Sequence, residues 1–336
     1  MPPHPAPVID SDAFEQLAEP YRKELQLHCY RMLGSLHEAE DHVQEALLRA
    51  WRSFDSFEGR GPFRAWLYSI ATNVCLNALA SRARARRLLP EMLDTSPNRT
   101  PYGEPDHDIE WLDPYPDSKL EGIADVMQGP EARYEMRESI ELAFVAAIQL
   151  LPASQRAILL LRDVLGWSAS DAAKLLDTSV TAINSRLQRA RATLEKQFPA
   201  GRPAIQSALD DEQRLLLDRY VKAWEVSDLE GFVALLKEDA IYTMPPWREW
   251  FRGRDNIRSF FEMAWRTGDY GNFRLTTTSG NGRPAFAVYS RSRAGGDWHA
   301  HSIQLLTVTH GAIASLTGFK KPDLFGSFGL PVILSA

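Results

Sequence analysis

Cysteine is nearly absent from this 336-residue chain: Cys29 and Cys75 are the only two, and both fall in apolar helical patterns. That excludes a disulfide framework, points to a reducing compartment, and leaves no thiolate zinc site of the usual spacing. No apolar run approaches the roughly 18 residues of a membrane span, and the opening MPPHPAPVID lacks the charged-then-apolar pattern of a secretory signal. The expectation is a cytoplasmic protein with no membrane partner and no bound metal or other cofactor. An excess of positive charge is also missing, with 38 basic side chains against 44 acidic ones and a net charge of −6. Any nucleic-acid role must therefore rest on local patches. Residues 205–336 hold 15 acidic and 15 basic side chains, so the imbalance belongs to residues 1–204. It is concentrated further: Glu104, Asp106, Asp108, Glu110, Asp113, Asp117, Glu121 and Asp125 stand against Lys119 alone.

What is present organises around LPASQRAILLLRDVLGWSASDAAKLLDTSVTAINSRLQRARATLE, Leu151–Glu195. The spacing predicts three helices and two turns. The first carries Ile158, Leu161 and Val164 on one face and runs into Gly166-Trp167. Ser168, with Asp171 three residues on, caps the second helix, and Asp177-Thr178-Ser179 supplies the next turn and cap. In the third helix Val180, Ile183, Leu187, Ala190 and Leu194 form one apolar stripe. The remaining faces show Thr181, Asn184, Ser185, Arg186, Gln188 and Arg189, then Arg191 and Lys196. A three-helix corner with a solvated basic face shares this periodicity. The two caps and the basic end favour a DNA-binding helix-turn-helix.

Upstream, a Pro-rich tail at 1–10, expected to be disordered, precedes helical patterns over 12–87. Phe14, Leu17, Tyr21, Leu25 and Cys29 share a face, and Gly34 precedes Ser35, a cap with Glu38 three residues later. The helix that follows places Val43, Ala46, Leu47, Ala50, Trp51 and Phe54 inward and turns Asp41, Gln44, Glu45 and Leu48 to another surface. Gly59, Gly61 and Pro62 break the chain before a helix striped by Phe63, Trp66, Leu67, Ile70, Ala71 and Val74.

These residues carry a resemblance. EAEDHVQEALLRAWRSFDSFEGRGPFRAWLYSIATNVCLNAL resembles region 2 of the extracytoplasmic-function group of bacterial sigma factors, and the Leu151–Arg191 stretch resembles region 4 of that group. The matching positions are Asp41, Gln44 and Glu45, then Trp66, Ile70, Ala71 and Asn73, then Leu151, Pro152 and Arg156. The resemblance implies a subunit that binds core RNA polymerase and directs promoter-specific initiation. It places Asp41, Gln44, Glu45 and Leu48 on the clamp of the large subunit, with the flap as the second polymerase contact. It assigns the Ser53–Pro62 loop to capture of a flipped base of the −10 element, with Phe57 and Arg60 available, and Asn73, Asn77 and the run from Arg82 to the promoter strand. Many relatives carry an acid where Asn77 stands, so the −10 preference does not transfer. The −35 element falls to Thr181, Asn184, Ser185 and Arg186 at base edges, with Ser179, Gln188 and Arg189 reaching phosphates.

The acidic linker at 88–132 is long for this group. Trp111 and Tyr115 read as anchors on a neighbouring domain, and the acidic stretch as a mimic of nucleic acid threading the polymerase channel; anchored ends and an acidic middle are compatible. The region 4 segment spans 133–198, and Pro203 closes a second boundary. Residues 205–240 read as helical and those from Ala240 as strands, with Asn281-Gly282 and Gly295-Gly296 as turns. Helices followed by a curved antiparallel sheet, over 205–330, resemble the SnoaL-like branch of the NTF2-like α+β cone. The whole is thus expected to be multidomain, all-α regions 2 and 4 followed by an α+β cone. Trp224, Tyr242, Met244, Trp247, Trp250 and Phe251 are candidates to line a pocket, and His299 and His301, two apart on a strand, would share a face with it. With Asp239 and Arg254 the histidines would make an acid–base group; aromatics filling the cone and surface histidines are the competing reading, and it is favoured. No catalysis is assigned. A modulatory cone is expected, with an anti-sigma factor or a small ligand as further candidate partners. A helix-turn-helix regulator with a sensing cone, and a SnoaL-like enzyme fused to a DNA-binding module, remain as alternatives.

Overall fold

The computed structural model describes residues 11–57, 62–81, 86–93, 98, 103–123, 139–198, 210–267 and 270–336. The expected tail, Arg60 and Arg82 lie outside the described residues. The chain builds two compact units and passes between them more than once. The first takes residues 1–87, 120–139 and 143–203; the second takes 88–119, 140–142 and 204–336.

In the first unit, helices Ser11–Ala18, Arg22–Leu33, Leu36–Arg52 and Phe63–Ala80 form the amino-terminal part. Gly34 (φ 73°) ends the second, and Ser35 accepts the Glu38 N–H at 3.4 Å to open the third. That helix buries Val43, Ala46, Leu47 and Ala50, but Trp51, expected inward, is 40% exposed. One residue beyond Ala50 is a 100° turn, which puts Trp51 in line with Gln44 and Leu48 instead. Phe14, Phe54, Phe57, Phe63 and Trp66 form an aromatic group with centroids 4.9–6.5 Å apart.

The carboxy-terminal part of this unit holds helices Leu142–Gln149, Ala153–Leu159, Ala169–Leu175 and Val180–Gln197. The Ala153–Leu159 helix continues as one π turn, Leu160–Val164, rather than running straight to Gly166. Ser168 caps on Asp171 N (3.0 Å) and Ser179 on Ala182 N (3.1 Å). Ile183, Leu187, Ala190 and Leu194 are buried as the stripe requires. Val180, expected with them, is 43% exposed, because it occupies the first helical position, a turn ahead of where the stripe meets the core.

Polar side chains join the two parts. Arg156, 1% exposed, donates to the carbonyls of Ile148 (3.0 Å), Gln149 (2.9 Å) and Leu151 (3.3 Å), to Gln149 Oε1 (2.6 Å), and to the Met32 carbonyl. Gln149 Nε2 donates to Arg31 O (3.1 Å), and Arg31 Nε to Ser139 O (3.1 Å). Burial, then the charge of Arg86, lowers the Arg156 pKa to about 9, so the guanidinium stays charged at neutral pH.

The second unit is a sheet with helices Asp211–Glu225, Leu229–Val233 and Arg254–Thr267 packed on it. Its strands are β1 (Leu236–Thr243), β2 (Trp250–Arg252), β3 (Tyr270–Gly280), β4 (Arg283–Ser292), β5 (Trp298–Thr309), β6 (Ala312–Phe319) and β7 (Ile333–Leu334). The order is β2-β1-β6-β5-β4-β3 with β7 on β5, antiparallel except β1 with β6. The helix-to-strand change falls at Leu236, earlier than the expected Ala240. Tyr220, Trp224, Phe232, Phe261 and Phe273 head the apolar core. The Leu324–Ser327 helix supplies Phe325 against Tyr289, centroids 5.1 Å apart.

Residues 88–119 of the acidic linker belong to this unit, and the rest of it to the first. Asn98 N donates to Trp250 O (2.8 Å), Gly103 N to Glu249 Oε1 (2.9 Å), and Trp247 Nε1 to Gly103 O (3.0 Å). Lys321 pairs with Asp113 (2.8 Å), Arg248 with Asp106, and Asp117 accepts from Gly282 N (2.9 Å). Tyr115, fully buried, donates its N–H to Asn281 Oδ1 and accepts from Asn281 N at its carbonyl, both at 2.8 Å. Trp111 donates to Asp106 O within the linker (2.7 Å). Asp106, Asp113 and Asp117 have partners on the sheet domain.

Candidate nucleic-acid interface

The Val180–Gln197 helix turns one face inward through its stripe and leaves the rest outward. Ser179, Thr181, Asn184, Gln188 and Arg189 are exposed, and Ser185 and Arg186 are half-buried. Arg189 donates to Ser185 Oγ (3.0 Å), which aligns two of the expected contacts one turn apart. Arg191 forms a two-pronged pair with Asp163 at the π turn (2.7 and 2.9 Å), bracing this helix against the preceding one. Short polar groups ahead of arginines on one exposed ridge suit base edges and phosphates respectively.

On the Leu36–Arg52 helix, Asp41, Gln44 and Leu48 are exposed and Glu45 half-buried, with Trp51 joining them. Glu45 accepts from Arg49 (2.6 Å). An acid, an amide, an acid and two apolar side chains at i, i+3, i+4, i+7 and i+10 make one continuous stripe. Trp51 was missed because its neighbour Ala50 made it look like core; its spacing from Gln44 and Leu48 was the available signal. Asn73 and Asn77, four apart, are both exposed on the Phe63–Ala80 helix. Phe57 is half-buried against Trp66, centroids 4.9 Å apart.

In the sheet domain Trp224, Tyr242, Met244 and Phe251 are at most 3% exposed and fill the interior. Trp250 is buried too, and Trp247 sits partly buried at its edge. His299 and His301 do not share a face. Val288 pairs Ser302 while Tyr289 pairs Ala300, so His301 is an extra residue in a register shift, and the alternation breaks there. His299 is exposed. His301 packs on Phe273 (5.8 Å), and burial, then the Lys320 charge, lowers its pKa to about 3, leaving a neutral ring. Asp239 is 80% exposed beside Lys237, and Arg254 donates to Leu236 O (3.0 Å). The structure does not bring these four together as an acid–base group. A cleft of about 280 Å³ is lined by Glu225, Ser227, Trp265, Asn272, Phe273 and Arg293, none of them an expected pocket residue. Among the described residues no group of three or more His, Cys, Asp or Glu is placed to hold a metal, and no helix is long and apolar enough to cross a membrane.

A capped helix-turn-helix shares the first unit with a second helical module that carries an exposed polar-apolar stripe, the layout expected of a transcription-initiation factor. The matching family models agree: Sigma-70 region 2 over residues 17–85, Sigma-70 region 4 over 141–194, and a SnoaL-like domain over 217–316. The chain is 41% identical over 321 residues to the ECF RNA polymerase sigma factor SigG of Mycobacterium tuberculosis, covering 95% of this chain and 84% of that protein. The ECF RNA polymerase sigma factor SigJ of the same organism is 27% identical over 325 residues, 91% of each chain. The SigJ crystal structure superimposes with a TM-score of 0.57 over 96% of this chain and all of that one, at 21% identity, which shows the shared fold. The chain belongs to the extracytoplasmic-function RNA polymerase sigma factors, in the form that carries a SnoaL-like carboxy-terminal domain.

Proposed function

We propose how this sigma factor divides its work. Asp41, Gln44, Glu45 and Leu48, extended by Trp51, dock on the clamp of the large polymerase subunit. Asn73 and Asn77, with Phe57, serve the −10 element. Thr181, Asn184, Ser185 and Arg186 read the −35 element while Ser179, Gln188 and Arg189 hold phosphates. The support is exposure: these groups lie on outward faces of helices whose opposite faces are buried. The site of action is the cytoplasm, and no reaction is assigned to the cone.

The cone, on this reading, controls how far the two reading modules part. Elements named −10 and −35 lie about 25 base pairs apart, roughly 85 Å of B-DNA. A compact unit the size of the first has an expected radius of gyration of only about 15 Å. Region 4 must therefore leave region 2 to span the promoter. The carrying observation is that the segment between them, residues 88–119, is held on the cone by the bonds at Asn98, Gly103, Asp106, Asp113 and Tyr115. Released, its 32 residues reach roughly 100 Å. The test is run-off transcription with core polymerase, using the full chain and an Asp106→Ala/Asp113→Ala variant with a weakened linker attachment. Protein-dependent transcripts that increase in the variant are expected. Unchanged yields in a variant with an exposed linker would remove the cone's role and leave the sigma function intact.

A further inference from the structure

The first helix, Ser11–Ala18, lies almost wholly ahead of the stretch that matches Sigma-70 region 2, which begins at residue 17. A helix of this length does not hold itself in water, so packing must keep it in place. Among its described side chains Phe14 and Ala18 are buried, while Ala13, Glu15, Gln16 and Leu17 are exposed. One large side chain therefore fastens the helix, a phenylalanine only 6% exposed.

The ring of Phe14 stands edge-on to Phe54 (5.4 Å, 70°) and to Phe63 (6.3 Å, 80°). Those two rings are also the supports of Phe57. Phe54 lies nearly parallel to it (6.5 Å, 12°), Phe63 stands edge-on (5.5 Å, 70°), and Trp66 completes the group at 4.9 Å. Among the described residues Phe14 packs with Phe54 and Phe63 and not with Phe57 itself. The group thus has layers: a buried ring beneath, two supporting rings, and a half-buried ring above them. Phe57 belongs to no helix or strand. It closes the tight turn Phe54–Ser56 by donating its N–H to Phe54 O (2.9 Å), so the setting of its ring falls to the rings beneath. A base taken out of the stack is held by an aromatic face that already stands where the base arrives. A ring free to turn holds every base less firmly and separates them less well.

We propose that Phe14 is a positioning residue for −10 recognition: through Phe54 and Phe63 it fixes the Phe57 ring and so sets how strictly the −10 bases are read. This rests on the reading of Phe57 as a −10 contact.

The test uses the full-length protein with core polymerase on a promoter that it transcribes in the run-off assay. Each −10 base is changed in turn, and opening is followed by permanganate reactivity of the unpaired thymines. The readout is the ratio of opening on the natural −10 element to opening on its altered forms, with core binding measured alongside. Phe14→Ala is expected to lower that ratio about fivefold, with core binding retained. Phe14→Leu keeps the apolar bulk but not the ring edge and should lower it about twofold. Phe57→Ala should lower the ratio at least as far as Phe14→Ala does. Adding Phe14→Ala to Phe57→Ala should then change it no further, because Phe14 acts through that ring. An unchanged ratio in Phe14→Ala overturns the proposal, and a loss of core binding alongside it makes the residue a prop for region 2 as a whole. An equal further fall in the double variant overturns it too, since the two rings would then act independently; both results leave the −10 role of Phe57 standing. Should Phe14→Ala fail to fold, Phe14→Leu decides, and a wild-type ratio there overturns the proposal. A wild-type ratio in Phe57→Ala removes the −10 reading of that ring and the proposal with it.

Discussion

The two units are held together by different forces. In the first, the parts that carry region 2 and region 4 meet through directional polar contacts: Arg156 on Met32 O, Gln149 on Arg31 O, and the Arg31 bond to Ser139. Water can replace such bonds when the parts separate, at a net cost of about 1 kcal/mol each. In the cone, Phe232 alone touches Tyr220, Trp224, Phe261 and Trp265 at centroid distances of 4.7–6.0 Å. Water offers no substitute for that burial. The contrast fits the proposed division of work, in which the reading unit parts into modules while the cone stays whole and holds residues 88–119.

The largest effect expected comes from emptying the cone's centre. Phe232→Ala should cost about 3–5 kcal/mol. Calorimetry should show the cone melting separately, while promoter-dependent transcripts persist or rise. Arg156→Met attacks the other kind of cohesion. It leaves several buried carbonyls without a donor, worth about 3 kcal/mol, and urea unfolding should show the loss in the first unit alone. Asn184→Ala should cost about 2 kcal/mol at its base pair. Transcription from single-base −35 variants would then show relaxed choice at one position only.

Acid should sharpen the difference. His28, buried against Thr72 (2.9 Å), has its pKa lowered to about 3 by burial and then by Arg31 and Arg64. A lowered pKa means stability that is present above about 6.5 and lost as pH falls toward 3, up to about 1.4 kcal/mol per pH unit. The cone has His301 with the same sign but also Glu91, whose shielded carboxyl burial raises to about 7. Stability tied to Glu91 is present below about 4.5 and lost as pH rises through 7. Between roughly pH 4.5 and 6.5 the two oppose each other. Hydrogen exchange should therefore show the first unit weakening with acid while the cone stays nearly level, and Glu91→Gln should restore an acid slope to the cone. The smallest effect belongs to Asp106→Asn, an exposed pair with Arg248 worth under about 1 kcal/mol. It should be visible only as faster cleavage of the linker by protease.

Much of this was readable along the chain. The caps at Ser35, Ser168 and Ser179, and the stripe of Ile183, Leu187, Ala190 and Leu194, are contacts within three or four residues. The outward face with Asp41, Gln44, Glu45 and Leu48 was readable because its helix is long and strongly periodic. Trp51 was misread against its own spacing, which puts it in line with Gln44 and Leu48, and Val180 because periodicity defines a face but not how far along the helix a partner extends. The shared face of His299 and His301 failed on one inserted residue, since a register shift is decided by the neighbouring strand.

Local pattern was thus enough for the helices and their caps, because each depends on neighbours a few residues apart, and the order of the modules and their family followed from the resemblance of two segments to regions 2 and 4. The folded chain alone decided that residues 88–119 lie on the cone, that Asp106, Asp113 and Asp117 are engaged there, and that Lys320 stands over the Trp247 ring. Those outcomes depend on groups up to 208 residues apart, as Lys321 and Asp113 are. Whether a charge finds its partner at that distance is set by the packing of the sheet, which no nearby residue records.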